Sequence, residues 1–188
     1  MVTSTDVVNQ AIQYIGDNQP PVTGTAPTFD SSPAGVAASF LYTPCVRKVM
    51  RQYGWDFARN TVALTLSGNP APFPWTYEYV YPQFGVQVRQ LLPPVLNDPN
   101  DPAPLDWVVA NAVVNSNQSR VIQTNVANAS AVMTNQPNEN TWDDGFREAV
   151  VRLLASELAM AIAGRPATAQ TLTEGFGAFS QDAEARDS

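Results

Sequence analysis

Three groups of residues in this chain have types and spacings that chemistry uses: the single cysteine Cys45, the adjacent carboxylates Asp143 and Asp144, and the aromatic row in "PFPWTYEYVYP", residues 72 to 82. A cysteine becomes a nucleophile when a neighbouring base draws off its proton, and imidazole is the usual base. The chain has no histidine, so Cys45 reads as small apolar filler. The acids Asp143 and Asp144 would suit a carboxylate-dependent hydrolase. Both also stand where a helix should begin, and the positive end of the helix dipole accounts for them without catalysis. The row places Trp75, Tyr77, Tyr79 and Tyr81 at every second position. Strand side chains alternate between faces, so these four rings share one face of a strand of roughly 23 Å. Such a face can line the inside of a small sheet, with the hydroxyls at its edge, or meet a neighbouring subunit. It can also hold a sugar or a base, but Glu78 falls on the opposite face, away from where it could assist a sugar.

The bulk composition narrows these alternatives. Ten Lys and Arg against seventeen Asp and Glu leave a net charge of -7 and a pI near 4.4. That balance argues against a broad face that grips phosphates. Arg47, Lys48 and Arg51 form the one basic cluster, with Arg47 and Arg51 four apart on a helix and so on the same side. They suit a solvated face or a neighbour's carboxylates. Only 14% of residues are charged, which leaves the surface to Asn, Gln, Ser and Thr and suits packing against other chains. A single cysteine allows no internal disulfide. No apolar run is long enough to span a bilayer and no export signal is evident, so a soluble product of the cytoplasm is expected, with no cofactor and no metal.

The elements that must position these residues follow from periodicity and stop signals. "TSTDVVNQAIQYIG" predicts a short amphipathic helix with Thr3, Ser4 or Thr5 as cap and Gly16 as stop. "DNQPPVTGTAPTFD", residues 17 to 30, reads as a loop. A second helix starts at Ser32 and Pro33, is kinked or divided at Pro44, and ends at Gly54, with Trp55 and Phe57 beside it as packing anchors. From Thr61 the period changes to two, and "TVALTL", the tyrosine row, "FGVQVRQL", "LDWVVANAVV", "SRVIQTNV" and "SAVMTNQP" read as strands, with "PPVLNDPNDPAP" a loop among them. The last strong helix is capped by Thr141 or Asp143, carries Phe146, Val150, Leu153, Leu154, Leu158, Ala161 and Ile162 as its stripe, and closes at Gly164, Arg165 and Pro166. Gly175 and Gly177 in the tail predict a weak helix or an extended arm. The expected fold is α+β: an α-helical bundle of N- and C-terminal helices with an inserted antiparallel β region. It forms one domain, with 1–60 and 141–188 as the helical part with a C-terminal arm, and 61–140 as the β insertion.

In this order the stretches "NQAIQYIG", "YTPCVRKVMRQYGWDFA", "WTYEYVYP", "RVIQTN" and "FREAVVRLLASELAMAIAG" resemble the head-to-tail adaptor, or tail tubular protein A, family of tailed-bacteriophage neck proteins. The resemblance covers most of the chain and rests on order and spacing rather than on any one motif. Two features depart from it. Tyr81, Pro82, Gln83 and Phe84 stand where the family often has Leu-Pro-x-Asp, and the glycines near the C-terminus interrupt what should be a continuous closing helix. The resemblance implies a virion protein of the neck, made in the host cytoplasm. Its copies would form a homo-oligomeric, dodecameric ring that docks on the portal protein, extends the DNA channel and gives the tail or nozzle protein a platform. DNA would pass through the lumen without specific binding, no membrane would be involved, and no reaction would be catalysed. Phe176, Phe179 and Arg186 in the C-terminal arm are the expected portal-docking residues. Trp75, Tyr77, Tyr79 and Tyr81 are expected in the sheet core or at the subunit interface. Trp55, Phe57, Phe146, Leu154 and Leu158 are the expected helix-packing anchors. A different class remains open: a virion binding module whose β region holds a receptor or decoration partner.

Overall fold

Thr3 starts the chain's first helix by a reciprocal cap: its hydroxyl accepts from the amide of Asp6, and the Asp6 carboxylate accepts from the amide of Thr3. The helix, α1 (Ser4–Ile15), buries Val7, Val8, Ala11, Ile12 and Ile15 and stops at Gly16, whose φ of 68° is the left-handed conformation glycine adopts without strain. The computed structural model describes residues 2–16, 20–94, 105–164 and 166–187, and the chain divides into two compact units, Met1–Ala58 with Pro137–Ser188, and Arg59–Gln136.

In the first unit the stretch expected as a loop contains a hairpin, β1 (Gly24–Thr25) against β2 (Thr28–Phe29). Residues 17–19 of that stretch lie outside the described residues. The hairpin is held from outside its own sequence. Asn9 of α1 donates to the carbonyl of Val22 and accepts from its amide, and Val22 and Phe29 are buried. Two apolar residues seven apart make no periodic pattern, so the sequence conceals them.

Asp30 joins this hairpin to the next helix. Its carboxylate accepts from the hydroxyl and amide of Ser32 and from the amide and hydroxyl of Thr23. Ser32 in turn caps α2 (Pro33–Gln52) by accepting from the amide of Gly35. A Cβ on Gly35 would stand 2.4 Å from the Asp30 carbonyl oxygen, so glycine is what lets the two backbones approach. The bonds from Ser32 and from the Thr23 amide hold the Asp30 carboxyl well below its ordinary value, at about 2. A depressed carboxylate lends stability above its unfolded value and loses it as pH falls toward the folded one. Melting temperatures of the protein and of Asp30→Asn should therefore differ most above about pH 4 and converge as pH drops toward 2. A gap that stays constant over that range would show that the charge contributes nothing.

The helix α2 runs past Pro44 to Gln52 without dividing, and it ends two residues before Gly54 because Tyr53 turns extended, with φ of -130°. A short turn at Asp56–Ala58 follows. Helix α3 (Asp144–Ala163) begins at Asp143, whose carboxylate accepts from the amides of Gly145 at 2.7 Å and Phe146 at 3.4 Å. It packs against α1, α2 and α4 (Pro166–Asp187). Neighbours on three sides explain why its buried residues exceed a single stripe: Val151 and Ala155 are enclosed along with Phe146, Val150, Leu154 and Leu158.

The second unit contains two three-stranded antiparallel sheets, built from β3 (Arg59–Ala63), β4 (Tyr77–Val80), β5 (Gly85–Leu92), β6 (Trp107–Val114), β7 (Asn117–Thr124) and β8 (Ser130–Asn135). Their orders are β3-β8-β5 and β4-β7-β6. The turn between β6 and β7 uses Asn115 and Ser116 at φ of 49° and 67°. Positive φ at both central residues matches the twist of paired strands. After β3, Leu64 still donates to Ala129 beside β8, and the same segment then continues into the other sheet, where Val80 donates to Thr65 and Ser67 donates to Glu78. The long Pro- and Asp-rich loop lies, from residue 95 to 104, outside the described residues.

One expectation is corrected here. The protein is a mixed α/β chain with four α-helices and three small antiparallel sheets among the described residues, not a bundle of terminal helices carrying one inserted β region. Alternating strands define a face but not a partner, so the pattern could not show that the central strands split between two sheets or that a hairpin forms near the N-terminus. Of the two forms expected for the tail, a weak helix or an extended arm, the helix is the one found: α4 is helical through Gly175 and Gly177. A Cβ on Gly175 would stand 3.5 Å from an Nη of Arg152 on α3. That is an ordinary contact distance, so the site would admit a side chain; the packing of α4 against α3 is what outweighs glycine's poor propensity.

Candidate functional site

The aromatic row divides at its first member. Tyr77 and Tyr79 sit on β4, while Trp75 precedes the strand in a turn closed by its own amide on the Pro72 carbonyl. Pro72 and Pro74 have no amide to give a ladder, and the Asn125 side chain accepts from both amide and hydroxyl of Thr76 where pairing would otherwise begin. Tyr79 is buried, and its hydroxyl donates to the Val126 carbonyl at 2.8 Å and accepts from the Ala129 amide. Tyr81, just beyond the strand, is buried with the Arg120 guanidinium 3.9 Å above its ring centre. Its hydroxyl has no hydrogen-bond partner among the described residues. Tyr77 packs at the margin of the same cluster, which Ile122, Met133, Val88 and Leu91 complete. Three of the four rings thus serve the interior of the second unit, and Trp75 is half-buried outside the strand.

Glu78 does point away from those rings, but to another enclosed side. Its carboxyl accepts from Ser67 at 2.9 Å, from Gln123 at 3.0 Å and more weakly from Asn69. The hydrogen bonds explain how an acid comes to be 3% exposed.

The helix anchors meet in the first unit. Phe146 lies 5.2 Å from Trp55, 5.1 Å from Phe57 and 4.8 Å from Trp142, all near edge-to-face. The Trp55 indole donates to the Val49 carbonyl, and that of Trp142 to Pro137. Leu154 and Leu158 continue the buried row along α3. Trp142 belongs to this cluster and was not singled out from sequence, since a residue just before a helix cap carries no periodic signal.

The reactive candidates are occupied by structure. Burial, with Glu157 nearby, pushes the Cys45 thiol up to about 12. Asp143 caps α3, and Asp144 pairs with Arg147 at 3.0 Å. Among the described residues no helix is long and apolar enough to cross a membrane.

Of the three residues expected to dock on a partner, Phe176 is buried within its own unit. It lines a groove with Pro44, Arg47, Lys48 and Arg51 of α2. Phe179 and Arg186 belong to the helical span of α4, and their side chains lie outside the described residues. The basic cluster is exposed on α2. Sequence reasoning did not single out the exposed apolar residues Val36 and Phe40 on that helix or Phe73 in the second unit, and it placed Phe84 on the apolar side of a strand with Val86 and Val88, where Phe84 is instead exposed. For the first two a signal existed, because residues 36, 40, 47 and 51 repeat at helical spacing. No protein-family model matches the chain, and no curated protein matches it.

Proposed function

We propose that this chain is a structural subunit of a tailed-bacteriophage neck, a head-to-tail adaptor that forms a dodecameric ring with its own copies. The ring docks on the portal, extends the DNA channel and offers the tail a platform. The observation that carries this reading is the order of the five stretches that resemble the family, "NQAIQYIG" through "FREAVVRLLASELAMAIAG". Charge supports it too. A net -7 suits a lumen that repels phosphates and lets a packaged genome slide. Electron micrographs of the purified protein, alone and mixed with the portal protein of the same virion, provide the test. Rings, or added density beneath the portal, are expected. A chain that stays solitary and adds nothing to the portal would overturn the reading and favour the binding module.

A further inference from the structure

One face of α2 is exposed along nearly the whole helix. Val36, Phe40, Arg47 and Arg51 are separated by four, seven and four positions, which returns each to the same side of a helix with 3.6 residues per turn. Val36 is 46% exposed and Phe40 75%. Arg47, Lys48 and Arg51 are exposed as well, and none forms an ion pair with a described residue. Their end of the face opens on a groove of about 670 Å³, to which Phe176 of α4 adds apolar surface. The face is therefore apolar toward the start of the helix and cationic toward its end.

We propose that this face of α2 is the surface through which one copy of the chain binds the acidic surface of a second copy. The inference rests on the ring reading and deepens it by naming the contact. An occupant must cover Phe40 and bring carboxylates to three clustered cations. The chain itself meets the second requirement. With these three set aside, seven basic residues remain against seventeen acidic ones, so the remainder of a neighbouring copy carries a balance of -10. Two copies of α2 placed face to face would set cation against cation, so the contact joins two different faces. Contacts of that head-to-tail kind close into rings when the rotation permits. Exposed charges at the contact make it weaken as salt rises.

Lys48 is the only lysine in the chain, which makes the test specific. A carbodiimide couples an amine directly to a carboxylate, so any lysine-derived bond between copies reports this face. In assembled protein made from a mixture of isotope-labelled and unlabelled chains, mass spectrometry should find Lys48 of one copy joined to Asp or Glu of another. The double variant Arg47→Glu, Arg51→Glu should assemble roughly tenfold more weakly or worse, because like charges now meet. Its melting temperature should barely change, since both side chains are exposed. Rings that yield no Lys48 bond between copies and that survive the double variant would overturn this inference and leave the ring reading intact. Lys48 coupled to the portal alone would overturn it as well. A protein that forms no ring, alone or with portal, would overturn both.

Discussion

Tyr79→Ala should destabilise the Arg59–Gln136 unit by about 3 to 5 kcal/mol, the cost of emptying a large aromatic site in a packed core. Tyr79 is 1% exposed and lies among Ile122, Met133 and Leu91, so neighbours from both sheets lose contact at once. Its hydroxyl adds a second component. It donates to Val126 and accepts from the buried amide of Ala129, so Tyr79→Phe leaves two backbone groups unpaired, at a cost of about 1 to 3 kcal/mol. Tyr81 supplies the contrast. Its hydroxyl is buried without a partner among the described residues, so Tyr81→Phe removes a desolvated polar atom and should be neutral or stabilising. Urea unfolding of the three variants, followed by hydrogen exchange at β4 and β7, measures all of this. A Tyr79→Ala protein that unfolds like the parent, yet no longer assembles, would move the ring from the core to an interface.

The comparable site in the other unit is Phe146, whose replacement by alanine should also cost about 3 to 5 kcal/mol. Phe146 is fully buried and is the common neighbour of Trp55, Phe57 and Trp142. Each edge-to-face contact contributes about 0.5 to 1.5 kcal/mol beyond area burial. Removing the ring therefore loosens the start of α3 and the turn after α2 together. Phe146→Leu keeps most of the buried area and loses the ring contacts, so its cost should be smaller. Tryptophan fluorescence reports the change directly, because Trp55 and Trp142 both face the site. Unfolding midpoints that are equal for Phe146→Ala and the parent would contradict the packing described.

Prediction and structure agree best where interactions are local. The Thr3 cap, the Gly16 stop, the Asp143 cap and the Gly164 stop each act across a few residues, and each could be read from residue type and offset. The burial of Tyr79, Phe146, Leu154 and Leu158 was legible for the same reason, because periods of two and 3.6 mark a face that must be covered. What covers each face was not legible. Nothing near Tyr79 indicates that β4 pairs with β7 or that the segment after β3 passes to the second sheet.

For the candidate surfaces the limit is the same. Phe176 looked available because its own segment is acidic and contains glycine, but α4 packs along α3, and Phe176 turns into the groove beside α2. Val36 and Phe40 drew no attention in the sequence, and the fold leaves them exposed. Residue order thus determined the helix ends, the strand periods and the acidic balance, each of which depends on neighbours along the chain. The tertiary structure alone decided the number of sheets, the choice of helix over extended arm in the tail, and which apolar faces remain open. Those depend on contacts such as Asn9 with Val22 or Phe176 with the α2 groove, where the partners are distant in sequence and only packing brings them together.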